Sequence, residues 1–393
     1  MERKWIFFLV TLAFLTNANA LSKTTYFFEF KDQDLTSRKQ KALDLIQDFG
    51  LSIENTSWKL QLGPLQLEAL KKTDAFLYLE KDRVNQLIKT PKKSEFSAEN
   101  KHFFATWNKY WHLNRLNIQK AWETTKGEPS VKVAICDSGI KSDHRELAGK
   151  VLPGWNFINN NNDTSPNTNH GTAVSGFVAA SETNNYGAYG VAPGVSLLPG
   201  KIVTTSGGVP TSAMLGCVRW AADQGAKVIN VSMTGVNSNS SATAARYANS
   251  KGAVVIWAAG NQNWATRWRD KQEIIAVGAT DIEDERYYAR VKVDGRWKNY
   301  GSNTGSFVDI TAPGEDIYTM NRNGNFYRSN GTSYSAPLVS GIAALIYSVN
   351  PNLSPREVTD ILKQSARDLG NDRFYGAGMA DAAEAVRLAK LTL

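Results

Sequence analysis

Short apolar segments separated by helical or glycine-rich stretches are the feature that most constrains the fold of this chain. Three of them are Val131–Cys136, Lys227–Val231 and Ala253–Trp257. Continuous apolar runs of this length are typical of strands in a parallel sheet, whose faces are both covered by crossover helices. Active-site residues in such sheets gather where the strands reach their carboxyl ends. The region after Trp111 is therefore predicted to be an α/β domain with a site at that edge.

The first 20 residues have the pattern of an export signal. A basic start, Met1–Lys4, precedes an apolar run over residues 5–15 and a small-residue cleavage pattern that ends at Ala20. A membrane anchor is the alternative, but the apolar run is shorter than the roughly 20 residues that a spanning helix needs. We expect secretion, to the periplasm or the outside of the cell, and no stable membrane association of the mature protein.

Residues 21–90 have the pattern of a small α+β domain. Strand-like and helix-like stretches alternate at Thr25–Phe30, Thr36–Phe49, Ser57–Leu62, Pro64–Lys72 and Ala75–Leu79. The composition then turns to Lys, Ser, Glu and Pro, so residues 91–105 are predicted to be an exposed linker. The larger domain is predicted to span residues 106–393.

Charge and cysteine content limit the partners of the chain. The net charge is +8, and because the Lys and Arg residues are dispersed among acids we expect no nucleic-acid partner. Cys136 and Cys217 are the only cysteines. An exported protein can pair them, but we expect two buried free thiols, since free cysteine is among the most buried residue types.

Three polar residues at predicted strand or helix ends are candidates for chemistry. Asp137 follows the strand Val131–Cys136, His170 precedes a predicted helix, and Ser333 opens the predicted helix that continues through residues 338–345. A helix N-terminus favours developing negative charge. Each residue alone has a structural explanation: a turn former, an ordinary histidine or a helix N-cap.

The three become informative together. A serine hydroxyl needs a base to take its proton, and a histidine base needs a carboxylate to fix its tautomer. The blocks Asp137-Ser-Gly, His170-Gly-Thr and Gly331-Thr-Ser-Tyr-Ser-Ala-Pro337, in this order, resemble the signature motifs of the subtilisin family of serine proteases. Resemblance extends from about Trp111 to Ala383. It implies a three-layer α/β fold with a central parallel sheet, preceded by a ferredoxin-like propeptide domain.

The resemblance also implies further site residues. Asn261 corresponds to the oxyanion-hole amide, with the Ser333 backbone N–H as second donor. Two segments correspond to the strands that bind substrate backbone: Gly207, Gly208 and Val209 in one, and Ser232, Met233, Thr234 and Gly235 in the other. Many subtilisins have Gly where Thr234 stands, which indicates a narrower or reshaped specificity pocket.

Catalysis in this family requires no cofactor, but structural calcium is frequent. Glu146 and Asn184 are the best candidate ligands, since calcium prefers carboxylate, amide and carbonyl oxygens. The Gln that usually completes the site corresponds to Trp107 here. The resemblance further implies that the propeptide inhibits the active site until it is cleaved, and that the protein is a monomer acting on polypeptides.

Three other functions compete with a secreted serine endopeptidase made as a zymogen. A sedolisin is disfavoured, because that group has Asp where Asn261 stands. A pseudoprotease that only binds is disfavoured by the complete triad. A peptide ligase or macrocyclase would use the same acyl-enzyme and differ only in the nucleophile that resolves it.

Overall fold

The computed structural model describes residues 24–30, 42–47, 49, 51, 59–72, 76–81, 84–86, 109–181, 187–293 and 296–393. The chain divides into two compact units, Met1–Val84 with Pro210–Ser212 and Asn85–Val209 with Ala213–Leu393. The predicted signal peptide and the predicted linker lie outside the described residues.

The first unit contains a three-stranded antiparallel sheet. Its strands are β1 (Thr24–Phe30), β2 (Lys59–Leu62) and β3 (Phe76–Lys81), in the order β2-β1-β3. Helix α1 covers 42–47, and α2 (Pro64–Lys71) begins at Pro64, which lacks the N–H that a first helical turn leaves unpaired. Five buried apolar side chains form the core of this first unit: Ala42, Ile46, Leu60, Leu62 and Leu70. The described part thus has the predicted alternation of strands and helices.

A seven-stranded parallel sheet is the centre of the second unit. Its order is β14-β11-β10-β9-β5-β7-β6, and every neighbouring pair is parallel. The strands are β5 (Lys132–Asp137), β6 (Trp155–Asn156), β7 (Ser196–Lys201), β9 (Val228–Val231), β10 (Val254–Ala258), β11 (Ile274–Thr280) and β14 (Ile310–Pro313). Strands β9, β10 and β11 are buried throughout and are mostly apolar; Asn230 and Thr280 are their buried polar residues. The predicted α/β fold with a central parallel sheet is confirmed.

The second unit also contains helices, of which those beginning at His170, Asn239, Thr332 and Pro355 contact strands of this sheet. The helices are α3 (Trp111–Arg115), α4 (Ile118–Trp122), α5 (His170–Ala179), α6 (Thr211–Asp223), α7 (Asn239–Ser250), α8 (Thr332–Val349), α9 (Pro355–Gln364), α10 (Asp372–Tyr375) and α11 (Ala382–Lys390). In the described part of the chain, α8 alone is long and apolar enough to cross a membrane, and 89% of it is buried inside the protein. It is therefore a core helix, as its small residues predicted.

Four of the described strands form two antiparallel pairs outside the central sheet. Strands β12 (Tyr288–Val293) and β13 (Arg296–Gly301) form one antiparallel pair, and β15 (Ile317–Met320) and β16 (Phe326–Ser329) form another. The boundary between the two units falls within β4 (Val84–Gln86) and within β8 (Gly208–Pro210).

The prediction of two free thiols is wrong, because Cys136 and Cys217 form a disulfide. Cys136 lies in β5 and Cys217 in α6, 81 residues apart in sequence, and their Cα atoms are 6.0 Å apart. Gly200 of β7 makes room for the bridge, since a Cβ there would lie 2.2 Å from Cys217 Sγ. The disulfide thus fixes the strand that ends in Asp137 to a neighbouring helix.

Candidate active site

Asp137 and His170 form a buried pair at the carboxyl end of β5. Asp137 is the last residue of that strand and is fully buried, while His170 is the first residue of α5. His170 Nδ1 lies 2.9 Å from both Oδ1 and Oδ2 of Asp137. A carboxylate only accepts hydrogen bonds, so Nδ1 donates and Nε2 keeps its lone pair. The pair therefore presents a base with a fixed tautomer.

The Ser138 hydroxyl joins these two elements. It accepts hydrogen bonds from the Gly171 N–H at 3.0 Å and from the Thr168 hydroxyl at 2.9 Å, and the Ser138 N–H donates to Asp137 Oδ1 at 2.7 Å. A Cβ on Gly171 would lie 2.2 Å from the Gly139 carbonyl oxygen, so only glycine permits this approach. The sequence had given Ser138 no role, although its position beside Asp137 was a signal.

Ser333 is the second residue of α8 and is fully buried. Its hydroxyl donates to the Ser232 carbonyl oxygen at 3.1 Å, and the Ser232 hydroxyl donates to the Ser333 carbonyl oxygen at 2.8 Å. His170 Nε2 is buried and has no hydrogen-bond partner among the described residues. In this state the Ser333 hydroxyl is therefore held by the strand end of β9 rather than by His170.

Asn261 adjoins the start of α8 through its side-chain carbonyl. Asn261 Oδ1 accepts from the Thr332 N–H at 2.9 Å and from the Thr332 hydroxyl at 2.8 Å. These two donors settle which side-chain atom is oxygen, because only Oδ1 can accept them. Asn261 Nδ2 is buried without a partner among the described residues. The amide thus keeps a free donor, and Thr332, which the sequence had not assigned, positions it.

Tyr334 is a third residue that sequence reasoning missed, after Ser138 and Thr332. Its ring centroid lies 5.3 Å from that of His170, at an angle of 45°, and the side chain is buried. The Tyr334 hydroxyl interacts with the side chains of Tyr327 and Ser329 on β16, and burial raises the pKa of Tyr334. Tyr334 therefore remains neutral and covers one side of the imidazole.

The other histidines differ from His170. Both ring nitrogens of His112 are buried without partners among the described residues, and burial lowers the pKa of His112 to about 3, so this histidine is neutral. His144 Nδ1 accepts from the Glu146 N–H at 3.2 Å. His102 lies outside the described residues. Among the described histidines, the ion pairs connect only His170 to a carboxylate.

The two predicted substrate-binding segments follow strands on either side of β5. Gly207, Gly208 and Val209 come after β7, and Ser232, Met233, Thr234 and Gly235 come after β9. Trp257 Nε1 donates to the Met233 carbonyl oxygen at 2.8 Å, which fixes the second segment to β10. Thr234 and Gly235 are half-buried. The strands that lead into the two segments therefore flank β5, the strand that carries Asp137.

The predicted calcium ligands do not form a site within the described residues. Glu146 is fully buried, and its Oε1 lies 3.4 Å from Arg145 Nε. Asn184 and Trp107 lie outside the described residues. The described part of the chain contains no group of three or more His, Cys, Asp or Glu side chains that could hold a metal. Because the loop that carries Asn184 lies outside the described residues, the pair Glu146 and Asn184 stays a prediction.

A buried Asp–His pair, a serine that opens a helix and a free amide donor on one parallel sheet define a serine hydrolase. The model of the subtilase family matches residues 128–378. Thermitase of Thermoactinomyces vulgaris is 34% identical over 277 residues, which are 70% of this chain and 94% of that protein. Alkaline elastase YaB of Bacillus sp. (strain YaB) is 28% identical over 408 residues, 96% of each chain.

The solved structure of proteases from Pseudoalteromonas arctica PAMC 21717 is also similar. It has a TM-score of 0.63 and 28% identity, and the match covers 72% of this chain and 97% of that one. The chain belongs to the subtilase family and is a subtilisin-like serine endopeptidase that acts on polypeptides.

Proposed function

We propose that this endopeptidase cleaves peptide bonds through an acyl-enzyme formed on Ser333. His170 Nε2 takes the Ser333 proton as the hydroxyl oxygen attacks the scissile carbonyl carbon, and it then gives that proton to the leaving amine. Water repeats the sequence and releases the acyl group as a carboxylic acid. Asp137 holds the imidazole and stabilises its charged form. Asn261 Nδ2 and the Ser333 N–H donate to the oxyanion.

Two buried polar atoms without partners carry this proposal. His170 Nε2 and Asn261 Nδ2 have no hydrogen bond within the described residues, although every other polar atom of their side chains has one. Leaving a buried polar atom unpaired costs about 1 to 3 kcal/mol. The cost supports a role that begins only when a substrate supplies the missing partners.

The assignment is tested by Ser333→Ala, with Ser335→Ala as the matched control. Ser335 lies two residues further along α8, is also buried, and donates to the Pro313 carbonyl oxygen at 3.1 Å. We expect Ser333→Ala to abolish labelling by a fluorophosphonate probe and cleavage of a chromogenic peptide, whereas Ser335→Ala retains both. Labelling of a folded Ser333→Ala protein would refute the assignment.

The substrate backbone is proposed to bind as an added strand between the segments 207–209 and 232–235. Strand addition gives affinity through backbone hydrogen bonds, and side-chain pockets add preference. The strands that precede the two segments, β7 and β9, lie on either side of β5, which supports this arrangement. Thr234 is proposed to narrow the main specificity pocket.

Secretion and zymogen processing belong to the same proposal. The export pattern of residues 1–20 and the disulfide Cys136–Cys217 both support an oxidising destination, because cytosolic proteins seldom keep disulfides. Residues 21–90 are proposed to be an inhibitory propeptide, which the alternation of strands and helices in their described part supports. If processing is autocatalytic, Ser333→Ala accumulates as the precursor while Ser335→Ala matures. We propose a monomer that needs no cofactor for catalysis. A fall in thermal stability on addition of a chelator would indicate a structural calcium ion.

A further inference from the structure

The strands β12 and β13 form a two-stranded antiparallel sheet, here named the basic hairpin. Between Arg286 and Gly301 the sequence has five Lys or Arg residues and one acidic residue, Asp294. Lys292 pairs with Trp297, and Arg290 pairs with Asn299. The average charge of the chain conceals this concentration of basic residues.

One face of the basic hairpin is exposed and combines aromatic with cationic side chains. Ala289 and Val291 are buried, so the alternate residues Tyr288, Arg290 and Lys292 face outward. Tyr288 is 46% exposed and Trp297 is 60% exposed. The Arg290 guanidinium lies 5.2 Å from the Trp297 ring centroid. Tyr288, Arg290, Lys292 and Trp297 are here named the outer face. Exposed aromatics beside arginine are typical of binding surfaces.

The cations of the basic hairpin have no acidic partners among the described residues. The described ion pairs include none of its exposed cations, which are Arg290, Lys292, Arg296 and Lys298. The acidic turn before β12 differs, because Asp284 pairs with Arg115 at 2.9 Å and with Arg367 at 3.0 Å. The positive charge of the hairpin is therefore available to an external partner.

The base of the hairpin is hydrogen-bonded to the loop that carries Asn261. The Gly301 N–H donates to the Asn261 carbonyl oxygen at 3.1 Å, and the Asn263 N–H donates to the Gly301 carbonyl oxygen at 2.9 Å. Arg286 adds hydrogen bonds to Asn263 Oδ1 at 2.9 Å and to the Ser302 carbonyl oxygen at 2.7 Å. The hairpin that carries the outer face is thus attached at its base to the loop that carries Asn261.

We propose that the outer face binds acidic segments of polypeptide substrates whose scissile bond lies in the active site. The proposal rests on the endopeptidase function proposed above. A six-residue strand spans about 20 Å, a distance that roughly six extended substrate residues cover. An acidic chain would pair with Arg290 and Lys292, and its apolar groups would pack on Tyr288 and Trp297. Complementary charge of this kind mainly sets substrate choice and the rate of encounter.

The test compares two substrates on the mature enzyme. One is a short chromogenic peptide that fills only the cleft, and the other is an unfolded polypeptide of the same cleavage sequence extended by a glutamate-rich segment. For the double variant Arg290→Glu and Lys292→Glu we expect about a 10-fold rise in KM for the acidic polypeptide and no change for the short peptide. Trp297→Ala should raise the same KM about 5-fold. High salt should weaken the wild-type preference, because it screens exposed charges.

Lys390→Glu is the matched control for a single reversal at Arg290. Lys390 is exposed near the end of α11 and is absent from the described ion pairs. Its replacement by Glu changes the net charge by the same amount as Arg290→Glu. If Arg290→Glu and Lys390→Glu change the KM for the acidic polypeptide equally, the proposal is overturned. It is also overturned if hairpin variants change the binding of an anionic polysaccharide but leave cleavage of the acidic polypeptide unchanged. If the wild-type enzyme does not cleave the short peptide, the proposed function itself is refuted.

Discussion

The helices α5 and α8 both begin at the active site, but their first turns use polar groups differently. At α5 the Ser138 hydroxyl accepts from the Gly171 N–H, and Asp137 accepts from His170 Nδ1. At α8 the Asn261 amide accepts from Thr332 with its oxygen and leaves its nitrogen unpaired. The first turn of α5 thus holds the proposed base, His170, whereas the amide beside the first turn of α8 keeps a hydrogen-bond donor free for the negative charge of the transition state. In His170 and Asn261, the paired side-chain atoms hold the residue in position, and the unpaired atoms, Nε2 and Nδ2, are the ones proposed to act on the substrate.

The largest effect is expected where the unpaired donor of the α8 end is removed. Asn261→Ala should lower kcat about 100- to 1000-fold with a smaller change in KM, because the amide acts on charge that develops in the transition state. Steady-state kinetics on a short peptide measures this split.

Asn261→Asp separates the two functions of this side chain. A carboxylate still accepts from Thr332 but cannot donate, so the variant should be folded and inactive at neutral pH. Thermal unfolding monitors its stability. An Asp variant as active as the wild type at neutral pH would contradict the role given to Asn261 Nδ2.

A smaller effect is expected where the two helices meet. Tyr334 belongs to α8, yet its ring covers His170 of α5. Tyr334→Met should lower kcat about 10-fold, since a 1 Å displacement of a catalytic group already costs up to about 100-fold and the packing loss is partial. Tyr334→Phe keeps the ring and should lose less. The low-field proton signal of the His170–Asp137 hydrogen bond would report a displaced imidazole.

Tyr347 provides the matched control for Tyr334. It lies in the same helix, is fully buried, and its hydroxyl donates to the Gly252 carbonyl oxygen at 3.3 Å. Tyr347→Met should reduce thermal stability without a change in kcat or in the His170 signal. If both substitutions lower kcat equally, Tyr334 acts only through stability.

Much of the fold and the main site residues could be predicted from the sequence, for different reasons. The apolar segments predicted the parallel sheet because burial on both faces leaves a local trace in composition. Asp137, His170 and Ser333 became candidates because each lies in a short motif, and Asn261 because the resemblance extended beyond the triad; their catalytic roles stay predictions. Tyr334 had no such trace: its contact with His170 depends on how two helices, 162 residues apart at their starts, pack together.

The disulfide and the basic hairpin show the same limit. Pairing of Cys136 with Cys217 requires α6 to pack beside β5, a long-range contact that spacing alone does not determine. The hairpin was overlooked because a net charge of +8 averages it with distant acids. Its exposed face became visible only when the register showed which side chains point outward.

Glu315 contrasts with the active-site groups: it is a half-buried carboxyl that follows β14, and the proposed mechanism does not use it. Burial and, after it, the charges of Asp281, Asp316 and Glu283 raise the pKa of Glu315 to about 7. The folded protein therefore binds this proton more tightly than the unfolded chain, so the free energy of unfolding should fall as pH rises from about 4.5 to about 7. Glu315→Gln should remove that part of the pH dependence and stabilise the protein by about 1 to 3 kcal/mol above pH 7. Denaturant unfolding at pH 5 and pH 8 measures the difference, and kcat should not change. A fall in kcat would mean that Glu315, which follows β14, also takes part in catalysis.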